Sequence, residues 1–169
     1  MKHFIHQKPL KLIIFLVFSG FFNGCIASSD NSSIGHLKSY EKVFLELPSG
    51  EKIYTYIAKT ESQQRLGLSK IESKDFSNSM GMLFPEDKMR VRQFWMPETH
   101  FDLDVFFMNE DYYILDIHRN LKHSKDRSNA VYSKEVFSQH VLELKSSSPL
   151  AKKIKPGMIL KLTKKAQIP

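Results

Sequence analysis

A single cysteine, Cys25, follows the apolar run Leu12-Ile13-Ile14-Phe15-Leu16-Val17-Phe18 and precedes a polar stretch from Ala27 to Ser33. With no second thiol, the chain can form no intramolecular disulfide, and a zinc site built on cysteines is excluded. Whatever it folds into must be held by packing and hydrogen bonds alone. Ahead of Cys25 the chain carries Lys2, Lys8 and Lys11. Its apolar segment, about 11 residues, is shorter than the roughly 20 that a spanning helix needs. Residues 1–24 therefore read as an export signal.

The Gly24-Cys25 step resembles the lipobox of bacterial lipoproteins, in which the peptidase cuts before cysteine and the new N-terminus is acylated. Lipidation at Cys25, with palmitate as the label to follow, would tie the mature chain to a membrane outside the cytoplasm. Ile26 after the cysteine, in place of aspartate, resembles the signal for the outer membrane, which points to its periplasmic face. Residues 25–40 are then the acylated end and a flexible Ser/Asn/Gly-rich tether, and residues 41–169 form one domain with one core. The formal charge of +7 includes three lysines that leave with residues 1–24, so the mature chain is only moderately basic. Nucleic acid is a poor partner for an exported chain without basic residues interleaved with aromatics. Lys145, Lys152, Lys153, Lys155, Lys161, Lys164 and Lys165 crowd the C-terminal quarter, as a solvated face or against anionic lipid.

Within the domain the periodicity is that of strands. Val43, Leu45 and Leu47 share one face, Pro48-Ser49-Gly50-Glu51 makes a hairpin turn, and Lys52 to Ala58 returns as a second strand. Thr60 with Gln63 forms a capping-box pattern for a short helix over 61–68, with Gly67 near its end. Gly81 to Phe84, Val105 to Met108, Tyr113 to Ile117, Val141 to Leu144 and Ile159 to Leu162 are further strands, and Asn109-Glu110-Asp111 is a turn. Ser148-Pro149 opens a helical turn through Ile154, which Pro156-Gly157 stops. The expected fold is mainly β (α+β): a curled, mainly antiparallel sheet forming a small barrel or sandwich, with two short helices as plugs.

Chemistry should lie between residues 80 and 118, where Phe94 to Asp104 holds the only tryptophan, Trp95. In a strand, His100, Asp102 and Asp104 face one way and Phe101, Leu103 and Val105 the other. One histidine and two carboxylates could form a metal first shell, for a divalent ion or metal-assisted hydrolysis. The same alternation describes a half-solvated strand, and carboxylates at i and i+2 sit roughly 7 Å apart. Met80, Met82, Met89 and Met96 gather near Trp95 in sequence, a set of thioethers suited to Cu(I) or simply to core filling. His118, His123 and His140 are scattered. No Gly-x-Ser-x-Gly elbow or phosphate-cradling glycine loop appears, and nothing identifies a nucleophile or a cofactor.

Four ordered motifs resemble a known family. They are Arg65-x-Gly67-Leu68, Gly81-Met82-Leu83-Phe84, Phe94-Trp95-Met96-x-x-Thr99-x-x-x-Leu103-Asp104 with Phe107, and Val141-Leu142-Glu143-Leu144 with Gly157. Over residues 43–163 they resemble the bacterial and archaeal domain of unknown function 192, also uncharacterised protein family 0127. The resemblance implies a small β-rich domain, often exported or membrane-tethered, and carries no established activity. The chain departs from the pattern at Ser69, where methionine is usual, and at Pro97-Glu98, where Lys-Asn is usual. It also departs at Met158, where aspartate follows Gly157, and at Tyr112 or its neighbour, where glycine follows the acidic turn. His100 and Asp102 match no family position.

Carried over residue by residue, the resemblance implies a shared cluster of Arg65, Met82, Trp95, Met96, Thr99 and Asp104. A buried Asp104 needs partners, which Thr99, the Trp95 indole, Arg65 or backbone amides could supply, either to pin the chain or to meet a ligand. The expectation is a membrane-tethered envelope lipoprotein that binds or assembles rather than catalyses. Its partner would be a small ligand in a patch lined by Trp95, Met82 and Met96, or an envelope protein docked on exposed Tyr112 and Tyr113.

Overall fold

The computed structural model describes residues 33–124, 128–129 and 131–163. The expected export signal, Cys25 and the expected tether as far as Ser32, together with Lys164 and Lys165, lie outside the described residues.

Among the described residues, nine strands, two short α-helices and two 3-10 turns make up the fold. Strands β1 (Glu41–Glu46) and β2 (Lys52–Ile57) form the expected hairpin, closed by Leu47 N donating to Glu51 O at 2.9 Å. Helix α1 (Glu61–Leu66) begins at the Thr60–Gln63 capping box. It stops at Gly67, whose φ of 50° with ψ of −131° suits only a residue without Cβ. Its C-terminus lies two residues short of the expected Leu68 for that reason. The chain continues through β3 (Met80–Phe84), β4 (Arg90–Arg92), β5 (Leu103–Met108), β6 (Ile114–Leu121), β7 (Val136–Ser138), β8 (His140–Lys145), α2 (Pro149–Lys153) and β9 (Lys161–Thr163). Helix α2 is capped by Ser148 Oγ, which accepts from Leu150 N and Ala151 N.

Seven strands form one sheet in the order β6-β5-β8-β3-β2-β1-β9, curled into a half-barrel. The pairing is antiparallel except between β2 and β3, where α1 and the loop after it carry the chain across. The curl closes at one end. Residues leading into β9 return to the start of β6, with Ile114 N donating to Met158 O at 2.8 Å and Leu160 N to Tyr112 O at 3.1 Å. A separate ribbon of β4 and β7 lies outside the sheet.

Two apolar cores follow from this. Inside the curl, Leu45, Ile53, Leu83, Phe106, Leu142 and Leu144 pack with Ala151, Ile154 and Leu160, so α2 and the segment after it plug the half-barrel. On the outer face, Tyr56, Met82, Phe84, Val105, Phe107 and Val141 pack under Leu68, Phe76, Met96 and Phe101. Central strands β5 and β8 are buried at every position. Gly81 sits where the inner core is tightest: a Cβ there would lie 2.9 Å from Leu144 Cδ2 and 3.1 Å from Ile53 Cγ2 and Leu142 Cδ1. Gly81→Ala should therefore cost about 1–3 kcal/mol through overpacking, read as a lower urea midpoint with an unchanged slope.

Candidate functional site

Alternation along β8 sends Leu142 and Leu144 inward and Glu143 to the outer face. There Glu143 is flanked in register by Met82 on β3 and Val105 on β5, both fully buried. The carboxyl is thus set among apolar side chains with 4% of the residue exposed. No described residue donates a hydrogen bond to it, and the Arg92 guanidinium only partly offsets the burial. Burial pushes the Glu143 carboxyl up to about 8, so at neutral pH it carries its proton and can donate one hydrogen bond.

Arg92 is itself buried, its Nη1 donating to Gln139 O at 2.9 Å and its guanidinium lying 5.2 Å from the centre of the Phe94 ring. Burial lowers it to about 10, which leaves it charged at neutral pH.

Glu143 forms part of the lining of a recess of about 40 Å³. Its walls come from the end of α1 (Arg65, Gly67, Ser69) and from the segment Phe94 to Thr99. That segment is fixed by its backbone: Ser69 Oγ donates to Pro97 O at 2.9 Å, Thr99 Oγ1 to the same carbonyl at 3.3 Å, and Lys70 N to Glu98 O at 2.8 Å. Ser69 and Pro97, both departures from the family pattern, are thus bonded to each other. Tyr112, a third departure, has a φ of 59°, the conformation glycine adopts freely, and its ring stacks on His140 at 4.8 Å.

From the recess a cleft of about 230 Å³ continues along Phe94 and Trp95 to Arg90, Val91, Gln93 and Gln64. Residues 91, 93 and 95 are exposed while 92, 94 and 96 are wholly or partly buried, the alternation of an extended segment. Trp95 is 41% exposed and pairs across the ribbon with Tyr132, the rings 19° from parallel with centroids 6.5 Å apart.

Four members of the inferred cluster, Arg65, Trp95, Met96 and Thr99, line this recess together with Glu143. Arg65 stands at its rim, largely exposed and paired with Glu61. Met82 lies beneath, next to Glu143 in the strand row. Asp104 is elsewhere, because its parity on β5 is opposite to that of Val105. Its partners are neither Thr99, Trp95 nor Arg65: it accepts from Arg119 Nη1 at 2.6 Å, Asn120 N at 2.8 Å and Ser146 Oγ at 2.8 Å. Arg119 also donates to Ala151 O and Ile154 O, so the pair ties β5 and β6 to the end of α2.

His100, Asp102 and Asp104 do not converge. Strand β5 begins only at Leu103, and each of the three has its own partner. His100 Nδ1 lies 2.8 Å from Glu72 Oε1. Asp102 bonds Lys122 Nζ at 2.9 Å, and His123 N and Nδ1 at 2.9 and 2.7 Å. Partial burial alone would raise the Asp102 carboxyl; these bonds outweigh it and hold it down to about 2. No metal-holding cluster of His, Cys, Asp or Glu occurs among the described residues. Met82 and Met96 are side chains of the outer core. Tyr112 is stacked on His140, while Tyr113 is 38% exposed and bridges to Ile159.

Sequence reasoning missed Glu143 as a site residue, although it stood in a quoted motif. The available signal was a lone acid with apolar neighbours on both sides in a strand. It also missed β4, β7 and Tyr132.

The chain matches the family model DUF192, described as Uncharacterized ACR, over residues 44–162. Among solved structures it is similar to a protein of Sinorhizobium meliloti 1021, provisionally described as a transcription regulator. That match has 29% identity and a TM-score of 0.58, covering 73% of this chain and 95% of that one. It is also similar to a protein of unknown function from Novosphingobium aromaticivorans DSM 12444, with 23% identity and a TM-score of 0.57, covering 71% and 83%. At that identity the likeness concerns the fold alone. No curated protein matches the chain.

Two predictions follow from the buried acids. In the unfolded chain the Glu143 carboxyl ionises near 4.5, in the folded one near 8. Between those values the native state holds a proton that the unfolded state has lost, so stability falls as pH rises through that window. Glu143→Gln should flatten this slope and be the more stable form at pH 8 by up to a few kcal/mol, measured by urea unfolding at pH 5 and 8. Asp104→Ala should cost about 1.5–3 kcal/mol at neutral pH, the range for hydrogen bonds to a charged group, visible in the same unfolding curves.

Proposed function

The chain belongs to the DUF192 family, and on that premise we propose that it is a lipid-anchored envelope module that binds a small hydrogen-bonding ligand in the cleft between Trp95 and Glu143. One observation carries this reading: a carboxylic acid almost wholly buried beside a recess, with no described hydrogen-bond partner. The carboxyl lines the recess, so a ligand atom seated there can accept a hydrogen bond from its hydroxyl.

Binding fits the recess better than catalysis. The Ser69 and Thr99 hydroxyls both donate to the Pro97 carbonyl. No imidazole or second carboxyl among the described lining residues stands by to deprotonate either. Glu143 supplies a fixed donor, Trp95 a broad apolar wall, and the Arg92 guanidinium beneath Phe94 discourages a cationic ligand. Support for the anchor comes from Cys25, its preceding apolar run and the polar spacer after it. The proposed location is the periplasmic face of the outer membrane, with the cleft open to the envelope.

Trp95 is the chain's one tryptophan, so its fluorescence reports directly on the cleft. Full-length protein, extracted from membranes, should incorporate radiolabelled palmitate, and Cys25→Ala should not. The low-molecular-mass fraction of an envelope extract should shift Trp95 emission saturably, and Glu143→Leu should abolish the shift while leaving the fold intact by circular dichroism. Unlabelled wild-type protein would remove the anchor; Trp95 emission indifferent to every fraction would remove the binding reading.

A further inference from the structure

The outward face of the β4–β7 ribbon is unusual for a surface. Val91 pairs with Phe137 and Trp95 with Tyr132, and these four large apolar side chains are 41–60% exposed. Four residues of extended chain separate the two pairs, about 13 Å, so the strip is longer than one small ring. Exposed apolar side chains gathered in this way, with a polar amide between the pairs, point to an interaction site.

Three features of the strip restrict what it can bind. First, its exposed flanking cations are paired: Arg90 with Glu86, Lys134 with Asp116 and Arg65 with Glu61, while Arg92, which shares Glu86 at 3.7 Å, is buried beneath Phe94. An anionic lipid or nucleic acid would find each of these exposed cations already paired, and a cationic ligand would face Arg92. Second, the apolar strip runs directly into neutral hydrogen-bonding groups. Gln64 Nε2 donates to Pro85 O at 3.0 Å and Gln93 Nε2 to Ser133 O at 3.1 Å. Each amide is thereby held in place with its carbonyl oxygen unbonded to any described residue. Third, Glu143 adds a protonated carboxyl in the adjoining recess. The cleft of about 230 Å³ is smaller than the roughly 300–1,000 Å³ of drug-sized sites, which leaves room for a ring or two.

An uncharged ligand with one flat C–H face and an edge of hydroxyls satisfies all three. A purely apolar ligand would waste the amides and the acid, and a flexible polar one would waste the rings. We propose that the cleft and ribbon form a saccharide-binding site, with sugar rings lying on Trp95 and Tyr132 and their hydroxyls bonded by Gln64, Gln93 and Glu143. The carbonyl oxygens of the two amides accept from hydroxyl groups and Glu143 donates to one, a set of partners fixed before the ligand arrives. The strip's length favours an oligosaccharide, the rings beyond the first packing toward Val91 and Phe137. This rests on the reading of the cleft given above and names its ligand class.

The test is titration of full-length protein, in a detergent without a sugar headgroup, with glucose, N-acetylglucosamine and the cello-, malto- and chito-oligosaccharides of two to six units. Trp95 emission and calorimetry are read together. At least one neutral series should bind saturably, with affinity rising from the monosaccharide to the trisaccharide. Tyr132→Ala and Gln93→Ala should each weaken it about tenfold, the loss of one ring contact or one hydrogen-bonding partner. Tyr132 is largely exposed, so its variant should unfold at the wild-type urea midpoint. If no saccharide binds while envelope extract still shifts Trp95, the ligand class is wrong and the cleft reading stands. If neither acts, both fail. A saccharide that binds equally well to Tyr132→Ala also overturns the assignment.

Discussion

Burial of the central strands on both sides is the constraint on which everything else in this domain depends. A half-barrel that packs a plug inside and a layer outside leaves β5 and β8 no solvent face. Every apolar residue there belongs to one core or the other, decided only by parity. That is why Gly81 admits no Cβ, why Phe106 and Leu142 point into the plug, and why a single acid at an outer-face position is forced into an apolar layer. The two acids on these strands meet this constraint differently. Asp104, on the inner-face parity, is bonded by Arg119, Asn120 and Ser146 and acts as a tie between elements. Glu143 has no hydrogen-bond partner among the described residues and remains protonated at neutral pH instead.

The strands were legible because their local chemistry agreed with the global fold. The β1–β2 hairpin follows from alternation around Pro48 to Glu51, and both helices start at caps readable as letters, Thr60 with Gln63 and Ser148 with Pro149. The parallel pairing of β2 with β3 could not be read, since nothing local in Met80 to Phe84 says which neighbour it will meet. Strands β4 and β7 escaped for a related reason. Each is three residues long, and they stabilise one another rather than the sheet, so neither carries a periodic signal strong enough to stand alone.

The site was half legible. Motif resemblance brought Arg65, Trp95, Met96 and Thr99 to one recess, but it also placed Asp104 there. Spacing along the chain cannot reveal which side of a two-faced strand a residue takes when both sides are buried. The same ambiguity grouped His100, Asp102 and Asp104, whose partners come from Glu72, Lys122, His123 and Arg119, all distant in sequence or across a hairpin. Glu143 shows the converse, where the decisive property is burial without a hydrogen-bond partner among the described residues, something only three-dimensional packing can reveal.

Where the chain enters the domain, Ser33 donates through both its N–H and its hydroxyl to the Asp75 carboxylate, and its Oγ accepts from Glu72 N. Leu37 and Tyr40 then seat in the outer core, and β1 follows, bonded along its length to β2 on one side and over its second half to β9 on the other. Tension applied from the N-terminal side would reach the Ser33–Asp75 clasp first. Beyond it, the load would fall along β1 in shear, dividing among many backbone bonds at once instead of peeling them one by one. The entry point is mechanically reinforced, so load arriving there would be carried by the clasp and by β1 before it reached the rest of the sheet.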